Sequence, residues 1–379
     1  MRYNLKGLSV FDASVQRMVE AYESGDKVIV NFSGGKDSTI CLEIALIAAK
    51  MTNNLPVTVI MRDEEIMFPG TFEYCERVAQ REDIDFHWIW AGQPIVNAFN
   101  RIQPYWYVFD ETIPKEEWVR QPPDFAYKIN DLNIENITTR ERFPRKKGQN
   151  ICQVLGLRVQ ESPQRKLGLM SSKGYMTKVV KGRRSARPIY DWTHGDVWKA
   201  IADNGWDYND AYDVMLRNGM SVHNMRIAPP TLTQAGMKML QIMMKAYPQW
   251  FDKVDQRCGG LRTAAMFGRR AIEPHRRLGE TWEDCFQREC IDEAPTEWIR
   301  ERSTIVRDWA LKIHFNKTTA PFPQKKKIMG EVLGSWNVLA RYMYNGDPFA
   351  MKSHKCLKPI EPEYFRKGAG YWGGKPSFG

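Results

Sequence analysis

The sequence predicts an α/β protein: a parallel, doubly wound sheet covered by helices on both faces, followed by a mostly helical C-terminal region. Three observations carry that expectation. Short β-branched apolar runs alternate with segments of helical spacing. A glycine-rich polar turn separates the first such run from the first helical pattern. Past Asp191 the strand signal gives way to helical periodicity.

In chain order, Met1–Gly25 reads as an amphipathic helix with Val10, Phe11, Val15, Met18, Val19 and Tyr22 on one side. VIVNF (Val28–Phe32) is the first expected strand, and Ser38–Lys50 the helix after it. PVTVIMR (Pro56–Arg62) is the second strand, Thr71–Arg81 a helix, and DFHWIW (Asp85–Trp90) the third strand. A long insertion rich in Trp, Tyr and Pro, Gly92–Asn150, precedes the fourth strand, ICQVLGLR (Ile151–Arg158). Insertions of that size near the carboxyl ends of strands build binding walls or lids. Helices are expected at Asp196–Ala202, Ala211–Asn218 and Leu232–Ala246. The expected division is an α/β domain over 1–205 with the insertion 92–150, a helical region over 206–363, and a flexible basic tail over 364–379.

With 55 basic against 45 acidic residues the chain carries a net charge of +10, a balance that favours polyanionic partners without saying which. Basic clusters lie at Arg145, Lys146 and Lys147, at Lys181, Arg183 and Arg184, and at Lys325, Lys326 and Lys327. The first residues, MRYNLKGLSV, have charge but no apolar stretch of signal-peptide length, so a cytoplasmic protein with no membrane partner is expected. Seven cysteines are scattered without a CxxC pair, against a disulfide framework or a zinc ribbon. Cys258, His275, Cys285 and Cys290 are a loose set that could gather a zinc ion, although their spacing fits no standard module, and no metal ligand is assigned.

The sequence VIVNFSGGKDSTICLEIALIAA, Val28–Ala49, is the informative stretch. Strand, glycine turn and helix together aim backbone N–H groups and a helix dipole at one place, which is where a phosphate is held. Gly34 and Gly35 allow the tight turn, Lys36 supplies positive charge, and Ser33 and Ser38 supply hydroxyls. Asp37 would cap the helix or reach a metal ion. The spacing is neither GxxxxGK[ST] nor GxGxxG, so the Walker loop and the dinucleotide fingerprint are excluded.

After a hydrophobic strand, SGGKDS resembles the pyrophosphate loop of the N-type ATP pyrophosphatase, or adenine nucleotide alpha-hydrolase, superfamily. LGLRVQESPQR (Leu155–Arg165) resembles the GxRxxES segment of its phosphoadenosine phosphosulfate reductase branch, matching at Gly156, Arg158, Glu161, Ser162 and Arg165. RPIYDWTHGDVWKAI adds a match at Asp191, Trp192, Asp196 and Trp198, read as ancestry more than catalysis. Further motifs are similar to a subgroup typified by immunoglobulin-binding regulator A: Gln103–Pro104, EWVRQPP, YNDAYDVMLRNG, MRIAPP and SWNVLARYMYNGDP. The resemblance implies an adenine nucleotide ligand, ATP or the sulfonucleotides PAPS and APS, with Mg2+. It implies a phosphate cradle at Ser33–Ser38 with Gly156, Arg158, Glu161 and Ser162, and Lys36, Asp37, Arg158 and Arg165 as the catalytic candidates. Asp63, at the end of the second strand beside Glu64, is a candidate for ribose hydroxyls or metal, with a plain solvated turn as the other reading. A ParB-like protein is an implied partner, and a nucleic acid a further one.

Reductases of that branch carry a Glu-Cys-Gly motif whose thiolate attacks sulfur. Here Glu289 and Cys290 are followed by Ile291, so the motif fails. The remaining enzyme expectation is cleavage between the α and β phosphates of ATP with adenylylation of an acceptor, linked to sulfur transfer or nucleic-acid modification. The competing one is a nucleotide-gated regulator without reductase turnover, binding protein or nucleic acid.

Overall fold

The structure is a computed structural model that describes residues 7–130, 142–144, 146–161, 163–172, 174–227, 236–268, 272–325 and 333–359. By compactness the chain divides into two units, Met1–Ala91 with Pro122–Ala228, and Gly92–Gln121 with Pro229–Gly379. The first runs α1 (Val10–Glu23), β1 (Lys27–Phe32), α2 (Lys36–Met51), β2 (Val57–Arg62), α3 (Thr71–Ala79) and β3 (Ile84–Trp90). The hairpin strands β4 (Gln93–Val96) and β5 (Tyr105–Val108) fall in the second unit. The first unit resumes with β6 (Tyr127–Lys128), β7 (Ile151–Val154), α4 (Pro163–Ser172), β8 (Arg183–Ala186), α5 (His194–Asn204) and α6 (Ala211–Arg217).

Six strands form one sheet in the order β6-β3-β2-β1-β7-β8, every pairing parallel. This is the expected doubly wound α/β fold. Period two explains its burial. Along β1, Val28, Val30 and Phe32 enter a core shared with α1 and α2, whereas Ile29 joins Ile60, Ile89 and Ile151 on the opposite face. Each such side chain, once buried, contributes about 1.5–3 kcal/mol. Helix α2 is apolar on nearly every side because it is itself core: Ile40, Leu42, Ile44 and Ala45 are fully buried. β1 lies between β2 and β7, so the strand order reverses there, and the carboxyl ends of β1 and β7 open a crevice at the switch point.

Three departures from expectation bear on that crevice. Helix α2 begins at Lys36 rather than Ser38, with Gly35 as its N-cap, so Lys36 and Asp37 stand in its first turn. The fourth strand ends at Val154, and Leu155–Arg158 leaves the sheet at its carboxyl edge. A strand with no apolar run, β8, covers the outside of β7, and polar Arg183, Arg184 and Ser185 suit an edge position.

The start of α5 is tied to α1. Arg17 is buried and grips Asp191 through two bonds of 2.8 and 2.9 Å, while also donating to the Pro188 carbonyl at 2.6 Å. Trp192 Nε1 donates to Ser14 Oγ at 2.8 Å, and Thr193 with Asp196 closes a capping box. The DWT motif is thus a clamp that sets where α5 starts.

The second unit contains α7 (Gly236–Ala246), α8 (Pro248–Cys258), α9 (Leu261–Phe267), α10 (Trp282–Phe286), α11 (Glu297–Phe315) and α12 (Trp336–Met343). One of its cores gathers Phe286, Cys290, Val306, Leu339 and Met343. Among the described residues no helix is long and apolar enough to cross a membrane. The tail 364–379 lies outside the described residues.

Candidate functional site

Between β1 and α2 the chain turns at Gly34, whose φ of +69° is open to glycine at little cost. A Cβ there would come within 2.8 Å of Thr71 Cγ2 and 3.0 Å of Cys75 Sγ. Ser38 Oγ donates to the Gly35 carbonyl at 2.8 Å and accepts the Ser33 N–H at 3.2 Å, drawing the two serines together. Gly35 caps α2 without a side-chain oxygen, so its first-turn amides face the crevice with the positive end of the helix dipole. The Lys36 amide donates to Tyr212 Oη at 2.9 Å.

Lys36 is buried at 2% exposure. Its ammonium donates to the Met225 carbonyl at 2.8 Å and lies 3.7 Å from Asp37. Burial holds it below the ordinary lysine range; Arg158 and Arg226 push the same way, and Asp37 opposes them. Asp37 takes two bonds from the fully buried guanidinium of Arg158, at 2.6 and 3.4 Å. Arg158 comes within reach because Gly156 lies against the backbone of α2: a Cβ on Gly156 would be 2.9 Å from Asp37 C and O and 3.0 Å from Ser38 N. Backbone atoms cannot swing aside, so only glycine fits.

After Arg158 a short 3-10 turn, Val159–Glu161, brings Glu161 back over it. Glu161 accepts the Arg158 N–H at 3.4 Å and pairs with Arg165 in the first turn of α4. Burial holds the Arg165 guanidinium below its ordinary value, with Arg226 and Arg158 adding to that. Ser162 lies outside the described residues.

The structure thus brings Ser33, Gly34, Gly35, Lys36, Asp37, Ser38, Gly156, Arg158, Glu161 and Arg165 to one edge of the sheet. Asp63 is engaged elsewhere. It is fully buried, one oxygen accepting from Trp88 Nε1 at 2.8 Å and the other from the Glu65 amide at 2.9 Å, which pins the end of β2 to β3. Glu64 pairs with Arg62.

Several residues in the cluster carry no signal readable from local pattern. Asn209 donates to the Gly34 carbonyl at 3.0 Å and to Thr71 Oγ1 at 2.8 Å, holding the turn from 175 positions away. Tyr212, Met225 and Arg226 also approach the loop from this far part of the chain. Their only trace was membership of YNDAYDVMLRNG and MRIAPP. His194, at the start of α5, accepts from Arg158 through Nδ1 at 3.2 Å, since a guanidinium can only donate. Burial, reinforced by Arg158 and Lys36, lowers its pKa to about 4, so it is neutral at pH 7. Four cations, Lys36, Arg158, Arg165 and Arg226, therefore surround the turn against two carboxylates, Asp37 and Glu161. Such a surplus at the positive end of a helix dipole suits an anion with several oxygens.

The family model described as the phosphoadenosine phosphosulfate reductase domain matches residues 27–218, from the first residue of β1 to just past α6. The chain belongs to this family. The matched span of the phosphoadenosine phosphosulfate reductase domain holds every described residue of the cluster except Met225 and Arg226. Over nearly its whole length the chain is also similar to the uncharacterized protein YbdN of Escherichia coli strain K12, 24% identical over 372 residues, covering 90% of this chain and 89% of the relative. Two solved structures resemble part of it. Candida glabrata FMN adenylyltransferase in complex with ATP has a TM-score of 0.35 and 10% identity over 54% of this chain and 57% of that one, less than two thirds of its length. Candida auris phosphoadenylyl-sulfate reductase in a phosphate complex has a TM-score of 0.33 and 18% identity over 56% and 87%.

All seven cysteines are free thiols. Cys290 is fully buried, donates to the Ala340 carbonyl at 3.7 Å, and has its pKa driven far above the thiol range by that burial. Among the described residues no three His, Cys, Asp or Glu side chains gather in a metal-holding group, the set Cys258, His275, Cys285 and Cys290 included.

Proposed function

We propose that the chain binds ATP, or a related adenine sulfonucleotide, phosphates first, at Ser33–Ser38, and transfers its adenylyl group to an acceptor. The observation that carries this reading is the surplus of cations around a glycine turn at the start of α2, with Lys36 and Arg158 buried, Arg165 half-buried and Arg226 exposed. Gly34 and Gly35 leave room for phosphate oxygens, and Ser33, Ser38 and the first-turn amides donate to them. Lys36, Arg158 and Arg165 balance charge that grows on the phosphates during cleavage, an effect that depends on positioned cations in a dry site. Asp37 and Glu161 hold Arg158 and Arg165 in place. Asp37 is also the acid nearest the proposed phosphates and would meet Mg2+ carried in by the nucleotide, which screens phosphate charge when bound.

In the reaction, an acceptor oxygen attacks the α phosphorus and the α–β P–O bond breaks. The electron pair leaves on pyrophosphate, and the acceptor's proton goes to water. The acceptor is proposed to be nucleic acid or a sulfur-transfer intermediate. Membership of the subgroup typified by immunoglobulin-binding regulator A, and with it a ParB-like partner, is proposed on the motifs at Glu117–Pro123 and Tyr208–Gly219. Seven cysteines without a disulfide among them suit the reducing cytoplasm. A second reading, a nucleotide-gated regulator with little turnover, draws support from the bond between Lys36 and the Met225 carbonyl, which a ligand would have to displace.

Pyrophosphate release from labelled ATP with MgCl2, with and without nucleic acid, tests both readings. Release that depends on protein and acceptor is expected. Tight ATP binding without release in any condition favours the regulator, and absence of adenine nucleotide binding overturns both.

A further inference from the structure

A second place in the first unit is built for anions. A cavity of about 480 Å³ lies on the β8 side of the sheet, lined by the end of α4, the 177–180 segment and strands β7 and β8. Strand register explains its floor: Gln153 pairs with Ser185 and Ile151 with Arg183, so Gln153, Arg183 and Ser185 share one face. Ser171, Ser172, Thr177 and Ser185 contribute hydroxyls, and Lys178 and Arg183 contribute charge. Arg184 also lines the cavity, its guanidinium meeting Asp26 at 2.5 Å. Among the described residues that line it, none is a carboxylate.

The sequence around it is equally one-sided. From Pro163 to Tyr190 the chain carries eight Lys or Arg and no Asp or Glu. For a chain with 45 acidic residues in 379, this 28-residue stretch has none, and it supplies every residue that lines the cavity except Gln153. The cavity is also separate from the SGGKDS loop. Helix α4 has Arg165 of the loop cluster in its first turn and Ser171 and Ser172 at its far end, about 10 Å along the axis at 1.5 Å per residue.

We infer that this cavity is a second anion-binding site, taking a phosphate- or sulfate-type oxyanion through Lys178, Arg183 and the hydroxyls of Ser171, Thr177 and Ser185. The oxyanion is either a small free one or a phosphodiester of a single-stranded nucleic acid laid along Pro163–Tyr190. The inference does not depend on what the SGGKDS loop binds.

The test uses the full chain and two probes, inorganic phosphate and a short fluorescent oligothymidylate, with selenate soaked into crystals to locate the anion. The charge reversal Lys178→Glu/Arg183→Glu is expected to weaken the bound probe roughly tenfold or more and to flatten its salt dependence, while ATP affinity stays within about twofold. Lys178→Ser, on an exposed side chain, gives the same direction with less change if the double variant folds poorly. Phosphate and oligonucleotide competing at equal strength identifies a free oxyanion; oligonucleotide binding far more tightly identifies the nucleic-acid strand. Unchanged affinity for both probes in both variants overturns the site, as does selenate density confined to the loop at Lys36.

Discussion

Lys36 shows how burial turns an ordinary residue into a reporter of function. A buried ammonium held by one carbonyl and one carboxylate at 3.7 Å is poorly compensated for lost hydration, and it keeps its place because α2 begins there. Under the proposed function its missing partner is a phosphate. Lys36→Ala should then weaken ATP binding roughly ten- to hundredfold, the size of a lost charge-assisted bond; calorimetry giving an unchanged Kd would remove the lysine from the site. His194 makes a prediction of different kind. Its folded pKa of about 4 lies below its ordinary 6.5, so the unfolded chain takes up the proton first as the solution is acidified. The stability it contributes is complete above pH 6.5 and is lost as pH falls towards 4. Urea titrations from pH 7 to 4.5 should show that loss in the parent protein and a smaller one in His194→Gln; parallel curves would mean that His194 titrates normally.

At the scale of elements, the start of α5 rests on one buried ion pair. Replacing Arg17 by Met leaves Asp191 charged and enclosed, which costs about 3–5 kcal/mol, whereas exchanging both partners for apolar residues in Arg17→Met/Asp191→Leu should recover most of it. Denaturant midpoints distinguish this from two independent losses, which would add. The same elements show what a reader of sequence can and cannot see. β1, β2, β3 and β7 announce themselves because strands inside a sheet covered on both faces are mostly apolar. β8 is an edge strand with little to bury, and RRSA therefore looks like a loop. The phosphate-type turn was legible because strand, turn and helix are contiguous. Asn209, Tyr212 and His194 were not, since their place beside the turn depends on how α5 and α6 return across the sheet. Asp63 marks the opposite limit: a carboxylate at a strand's carboxyl end looks free in sequence, and only the fold supplies Trp88 and the Glu65 amide that occupy it.

At the scale of the whole molecule, family membership and chemistry part company, and Cys290 is where they do so. The chain belongs to the phosphoadenosine phosphosulfate reductase domain family, yet its one Glu-Cys pair lies in the second unit's core, among Phe286, Val306 and Leu339. A thiol attacks as thiolate, and burial of Cys290 outweighs the opposing charges of Arg101 and Arg288 and holds the thiol protonated. Reduction of PAPS or APS to sulfite with a dithiol reductant should therefore be undetectable for the purified protein. Cys290→Ser should leave ATP binding and any pyrophosphate release within about twofold of the parent, since the substitution touches only packing. Sulfite production that Cys290→Ser abolishes would place the reacting centre at Cys290. Under the proposed function, with reduction set aside, the cations around the SGGKDS loop serve the phosphates of ATP, and pyrophosphate is the product to measure.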